Sequence, residues 1–186
     1  MIIGKKFYIS VVLLVISFVF TACGTKLEKE KLYEKDLSAS TKDELFQLAI
    51  YLDKDTYSPE ENIFCYATLE YIGEKDSITV YSGDPLIGFG IKDDKLFQGG
   101  YGVDTILMQT TFRKGQVVKY DFVKSGGWSG DDPNAKFYEE FYKDPNLILP
   151  AGEYEISAEI NCSLDQDDVV GTQYSQTVSV KIKVLE

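Results

Sequence analysis

From residue 44 onward apolar and polar side chains mostly alternate with period two, which predicts strands with one buried face. The segment 62–72 sets Ile63, Cys65, Ala67, Leu69 and Tyr71 on one side and ends at the turn Gly73-Glu74-Lys75-Asp76. Shorter runs follow at 77–82, 86–92 and 105–112, separated by Gly, Asp and Pro. Lys114-Gly115 then turns the chain into 116–124, where Val118, Tyr120 and Phe122 share a face. The clearest alternation comes last. Segment 153–162 aligns Tyr154, Ile156, Ala158, Ile160 and Cys162, and 172–185 aligns Tyr174, Val178, Val180, Ile182 and Val184, with Ser, Thr and Lys opposite. Half-buried antiparallel strands have this pattern.

Two segments depart from it. In 135–143, Phe137, Tyr138, Phe141 and Tyr142 form a helical stripe, predicting a short helix that lies on the core as a lid. Segment 44–52 fits two periods. Leu45, Leu48, Ala49 and Leu52 suit a helix with capping-box spacing from Thr41 to Glu44, while Phe46, Leu48, Ile50 and Leu52 suit a strand. Strand is the expectation, because every well-marked segment that follows is one. Roughly eight strands, with turn signals every 8–12 residues, predict an all-β, two-sheet antiparallel sandwich over 44–186 with one helical insertion.

The start of the chain follows other rules. Lys5 and Lys6 precede fourteen uncharged residues, Phe7 to Phe20, and then the small pair Thr21-Ala22. These are the parts of a secretory signal. As a helix the apolar run spans about 21 Å, short of the roughly 30 Å hydrocarbon core, so it makes a poor permanent transmembrane helix. Phe20-Thr21-Ala22-Cys23 resembles the lipobox of bacterial lipoproteins, although Phe20 stands where that family prefers Leu. The resemblance implies cleavage after residue 22 and a diacylglycerol on the Cys23 thiol; a plain secreted protein and an uncleaved anchor are the alternatives to lipidation. Two acyl signals anchor stably where one does not. Residues 1–22 are thus expected to be a signal peptide, and 23–43 a lipidated cysteine and a flexible, mixed-charge tether. Twenty such residues have a root-mean-square reach of about 25 Å. The expected address is the extracytoplasmic face of the cell membrane.

Charge narrows the partners. Residues 1–22 carry two lysines and no acid, so their removal takes the net charge from -11 to -13. Such a surface disfavours nucleic acid, which needs clustered Lys and Arg, and stands off anionic headgroups. Arg113 is the only arginine among many lysines, a usage that resembles low-GC bacterial proteins and favours a Gram-positive source. In a diderm source, Gly24 differs from the Asp of an inner-membrane retention signal, which favours the outer membrane. Histidine is absent, which removes the usual general base, the commonest zinc ligand and any Ser-His-Asp arrangement. Gly88-Phe89-Gly90 and Gly99-Gly100-Tyr101-Gly102 lack the strand-to-helix setting of a dinucleotide fingerprint and read as turns or bends. No cofactor is expected.

Tyr57-Ser58-Pro59-Glu60-Glu61-Asn62-Ile63, Leu69-Glu70-Tyr71-Ile72-Gly73 and Leu149-Pro150-Ala151-Gly152-Glu153-Tyr154 resemble the A-B corner and late-strand entry of bacterial immunoglobulin-like and fibronectin-III-like domains. The pattern is similar, more loosely, to the sandwich of BsuPI-type proteinase inhibitors. It implies an immunoglobulin-like order and transfers no binding residue. In that order Cys65 lies near the start of one strand and Cys162 near the end of another that runs parallel to it in the facing sheet. Their offset of about six residues amounts to about 20 Å, against the roughly 7 Å a disulfide tolerates. Two buried free thiols are expected.

The candidate binding loop is 125–145, where the only tryptophan, Trp128, lies on a glycine-rich segment with Asp131 and Asp132, followed by Tyr138 and Tyr142 on the helix. A tryptophan there either anchors a partner or folds back to cap the sandwich. Asp165, Asp167 and Asp168, with Glu74 and Asp76 beside them in an immunoglobulin-like order, are weak calcium candidates without EF-hand spacing. Glu139 and Glu140 supply a carboxylate pair for a hydrolase, a weak signal in so acidic a chain. The leading expectation is a monomeric, non-enzymatic module that binds a protein or envelope polymer. A proteinase-inhibitor-like domain and a structural envelope module are the alternatives.

Overall fold

A computed structural model describes residues 37–168 and 171–186. The expected signal peptide, the lipidation site Cys23 and the tether as far as residue 36 lie outside the described residues. Ten strands and one helix follow within them: β1 (Leu37–Lys42), β2 (Phe46–Leu52), β3 (Thr56–Tyr57), β4 (Cys65–Tyr71), β5 (Ser77–Asp84), β6 (Ile87–Lys92), β7 (Asp104–Arg113), β8 (Val117–Asp121), α1 (Ala135–Lys143), β9 (Gly152–Ser163) and β10 (Gln173–Val184).

The strands form two sheets. One has the order β1-β2-β4-β8 and is antiparallel throughout. The other has the order β3-β10-β9-β5-β7, with β6 also on β9; β3 alone runs parallel to its neighbour. Tyr81 faces Ser163 and Ile87 faces Ile160, so β6 carries on along the same edge of β9 after a break at Pro85.

The core lies between the sheets. Every residue of the inward sets predicted on β4 and β9 is buried, as are Phe46, Leu48, Ile50 and Leu52, which resolves 44–52 as strand. Across the sheets Phe46 meets Phe112 edge-on at 5.6 Å. Cys65 pairs with Leu52 on one sheet and Cys162 with Tyr174 on the other. Both are buried free thiols, as expected, and burial raises both, Cys162 to about 12.

Three expectations need correction. The sandwich begins before residue 44, because Leu37 to Lys42 pairs with Leu52 to Gln47 of β2, so the tether ends short of residue 37. Gly88 and Gly90 lie within β6 and are no turn. A Cβ at Gly88 would stand 2.0 Å from the Tyr101 ring, so glycine lets the segment after β6 fold over that strand. Finally, the strands among the described residues number ten rather than roughly eight, because β1 and the two-residue β3, which pairs with β10, are strands as well.

Candidate functional site

The turn after β6 builds the first wall. Asp93 Oδ1 accepts the backbone N–H groups of Lys95, Leu96 and Phe97 at 3.1, 2.7 and 2.6 Å. One carboxylate oxygen thus curls the chain and returns Leu96 and Phe97 toward the sheet. Gly99 N–H then bonds Ile91 O at 2.7 Å and keeps the strip against β6.

Helix α1 builds the second wall and matches its predicted bounds. Phe141 is buried with its ring 5.0 Å from that of Phe97, and Phe137 meets Phe97 edge-on at 5.9 Å, so the stripe does act as a lid. Tyr138 OH donates to Leu96 O and fastens helix to turn; burial first, then nearby acids, raises its pKa. Lys124, at the end of the strand region, donates from Nζ to Phe141 O (2.7 Å) and Asp144 O (2.8 Å) and stands 3.9 Å from the Phe141 ring centre. It satisfies carbonyls that a helix C-terminus leaves open. Burial lowers its pKa, with Asp144 opposing.

The loop after Lys124 is the third wall. Trp128 lies over Tyr142 with ring planes 6° apart and centroids 5.6 Å apart, and it is 40% exposed. One face of the indole is turned to Tyr142, and the residue keeps that exposure beside it. Trp128 thus folds back onto the helix. Gly126 permits this, because a Cβ there would meet Tyr142 OH at 2.4 Å.

These walls enclose a cleft of about 440 Å³. Its floor includes the buried side chains of Phe89, Ile91, Phe97 and Phe141; Trp128, Tyr101, Tyr138 and Tyr142 rise around it. Burial raises the Tyr101 phenol to about 12, with Glu159 adding to it, and Tyr142 also shifts upward. The cleft's charges are engaged: Lys124 as described, and Asp132 through Oδ1, which accepts Asn134 N–H at 2.7 Å. Ser125 borders the cleft, and its buried Oγ has no partner among the described residues.

Of the predicted site residues, Trp128, Asp132, Tyr138 and Tyr142 come together here, while Asp131 stays exposed outside the lining. Phe97, Tyr101 and the rest of the first wall were not anticipated. The available signal was a second aromatic-bearing glycine cluster, Phe97 to Gly102. The weak calcium candidates do not converge. Asp165 Oδ1 accepts Asp167 N–H and Asp168 Oδ1 accepts Gly171 N–H, both at 2.9 Å. Among the described residues no three His, Cys, Asp or Glu side chains are placed to hold a metal. Glu139 accepts from Lys143 Nζ at 2.6 Å, one turn along the helix.

No protein-family model matches the chain, and no curated protein matches it. Among solved structures, the sporulation control protein Spo0M from Bacillus subtilis is similar at a TM-score of 0.36 and 14% identity, over 76% of this chain and 50% of that one. The chain therefore spans half of that protein's length.

Proposed function

We propose that the chain is a lipid-anchored extracytoplasmic lipoprotein whose β-sandwich is a non-enzymatic binding module for a protein or envelope polymer. The observation that carries the binding role is the aromatic cleft, where the stacked Trp128–Tyr142 pair, with Trp128 part exposed, stands beside a preformed apolar floor. Ligand sites are commonly concave and largely apolar, with a few placed polar groups. The anchor rests on the lipobox resemblance at Cys23. The finer immunoglobulin-like reading draws support from Tyr154, whose OH donates to Pro150 O at 2.8 Å, a closure of the tyrosine-corner kind.

Two measurements test this. Cys23→Ser is expected to abolish incorporation of radiolabelled lipid and to release the protein from membranes; unchanged membrane association would rule out the lipid as anchor. Capture from solubilised envelope is expected to fall in Trp128→Ala, and full capture by that variant would remove the loop from the binding role.

A further inference from the structure

Building on the binding-module reading, we propose that the cleft takes a segment of a neutral carbohydrate chain, with one sugar ring stacked on the part-exposed Trp128. A pyranose ring has an apolar C–H face and a hydroxyl-bearing rim, and the cleft has the counterpart of each. The indole is braced from behind by Tyr142, so its face is oriented before a ligand arrives and little side-chain freedom is lost on binding.

The polar groups suit hydroxyls rather than ions. Lys124 Nζ already donates to two carbonyls and Asp132 Oδ1 already accepts a backbone N–H, and these two opposite charges are the only ones lining the cleft, so it carries no net charge that selects an ion. The domain's excess of acids opposes a polyanion. The backbone from Val123 to Trp128 makes no backbone hydrogen bond among the described residues, and Ser125 Oγ lacks a partner. A sugar hydroxyl can both donate and accept, so it can serve N–H, C=O and Oγ alike.

A proline-rich peptide is the competing occupant, since it too docks on aromatic side chains. It would use a row of rings along an extended groove. Here Tyr101, Tyr138 and the stacked Trp128–Tyr142 pair stand around a compact volume of about 440 Å³, within the usual range of about 300–1,000 Å³ for small-ligand sites.

Trp128 is the chain's only tryptophan, so its fluorescence reports this site without interference. The full-length protein, held in a sugar-free zwitterionic detergent, is titrated with cellohexaose and chitohexaose, and separately with a proline-rich decapeptide and with polyglycerol phosphate. The expected result is a saturable emission change with at least one neutral hexasaccharide. Tyr142→Ala should weaken that binding by roughly tenfold or more, read by fluorescence, and Trp128→Ala comparably, read by calorimetry. Far-UV dichroism and urea midpoints establish that each variant is folded; the exposed Trp128 position keeps the test decisive if Tyr142→Ala is not.

No response to either sugar, a response confined to peptide or polyanion, or undiminished sugar binding by Trp128→Ala would each overturn the proposal. If the sugars are silent while envelope capture still depends on Trp128, the carbohydrate inference fails and the binding module stands. Silence in both assays removes both.

Discussion

Two aspartates show how much a single carboxylate settles. Asp43 Oδ1 accepts the N–H groups of Leu45 and Phe46 at 2.8 and 2.9 Å and closes the turn between β1 and β2; its Oδ2 accepts Tyr174 OH at 2.9 Å, joining that turn to the facing sheet. Burial pushes its pKa up, but the backbone and Tyr174 bonds outweigh this and leave it lowered. Asp93 repeats the device at the cleft, with three N–H groups on one oxygen and Phe97 delivered to the floor. Asp93→Ala orphans those donors, part of them half-buried, and is expected to cost about 1–3 kcal/mol. Asp93→Asn keeps an acceptor in place and should cost less. Urea unfolding of the two variants checks this, and equal losses would mean that charge rather than the turn geometry is what matters. A smaller effect is expected at Tyr154→Phe, which removes the bond to Pro150 O and should lower stability by about 0.5–1.5 kcal/mol in the same assay.

At the scale of elements, α1 depends on a residue remote in sequence. It has no side-chain hydrogen bond at its N-cap, and nine residues are too few for a helix to stand alone. Its buried Phe141 and the Lys124 ammonium at its last carbonyls hold it. Lys124→Met keeps most of the stem but leaves the Phe141 and Asp144 carbonyls unpaired, at an expected cost of about 1.5–3 kcal/mol for hydrogen bonds from a charged donor. Amide hydrogen exchange should quicken at the C-terminal turn of α1 while β9 and β10 stay protected; uniform protection would show that packing alone secures the helix. The helix itself was legible, because its aromatic stripe repeats at helical spacing. So were β4 and β9, each with one wholly apolar face, and β10, whose inward face is broken only by Gln176; β2 was legible in part, since 44–52 fits helical spacing as well. β1 was not, since only Leu37 and Ala39 of its inward side are apolar and both are half-buried; nor was β3, whose two residues are strand only through β10. The cleft was half legible for the same reason. Trp128, Tyr138 and Tyr142 announce themselves on a glycine loop and a helix, whereas Phe97 and Tyr101 reach the site through the Asp93 turn and the room above Gly88, which are tertiary facts.

Across the whole molecule, phenols and thiols are set into both sheets and both ends of the sandwich. Burial pushes up the pKa values of Tyr101, Tyr120 and Tyr154, each to about 12 from an ordinary 10, and those of Tyr57 and Tyr174 as well, where Asp53 and Asp43 add to the effect. Cys65 and Cys162 shift the same way from 9. In the unfolded chain these groups would lose their protons near the ordinary values, so the folded state binds more protons above about pH 9. Stability falls with rising pH wherever the native state holds the extra protons. The contribution is therefore complete below pH 9 and is lost progressively as pH rises through the folded values near 12. The melting temperature should show no loss from these groups between pH 7 and 8.5 and should decline steadily beyond pH 9. Tyrosinate absorbance at high pH provides the independent check: the native protein should ionise later than the same protein in guanidinium. Both cysteines should resist alkylation at pH 8 until denaturant is added, since each thiol is buried and held neutral. Coincident native and denatured phenol titrations, or prompt native alkylation, would mean that solvent reaches the space between the sheets, and the two-layer core would then be looser than the packing of Phe46 on Phe112 requires.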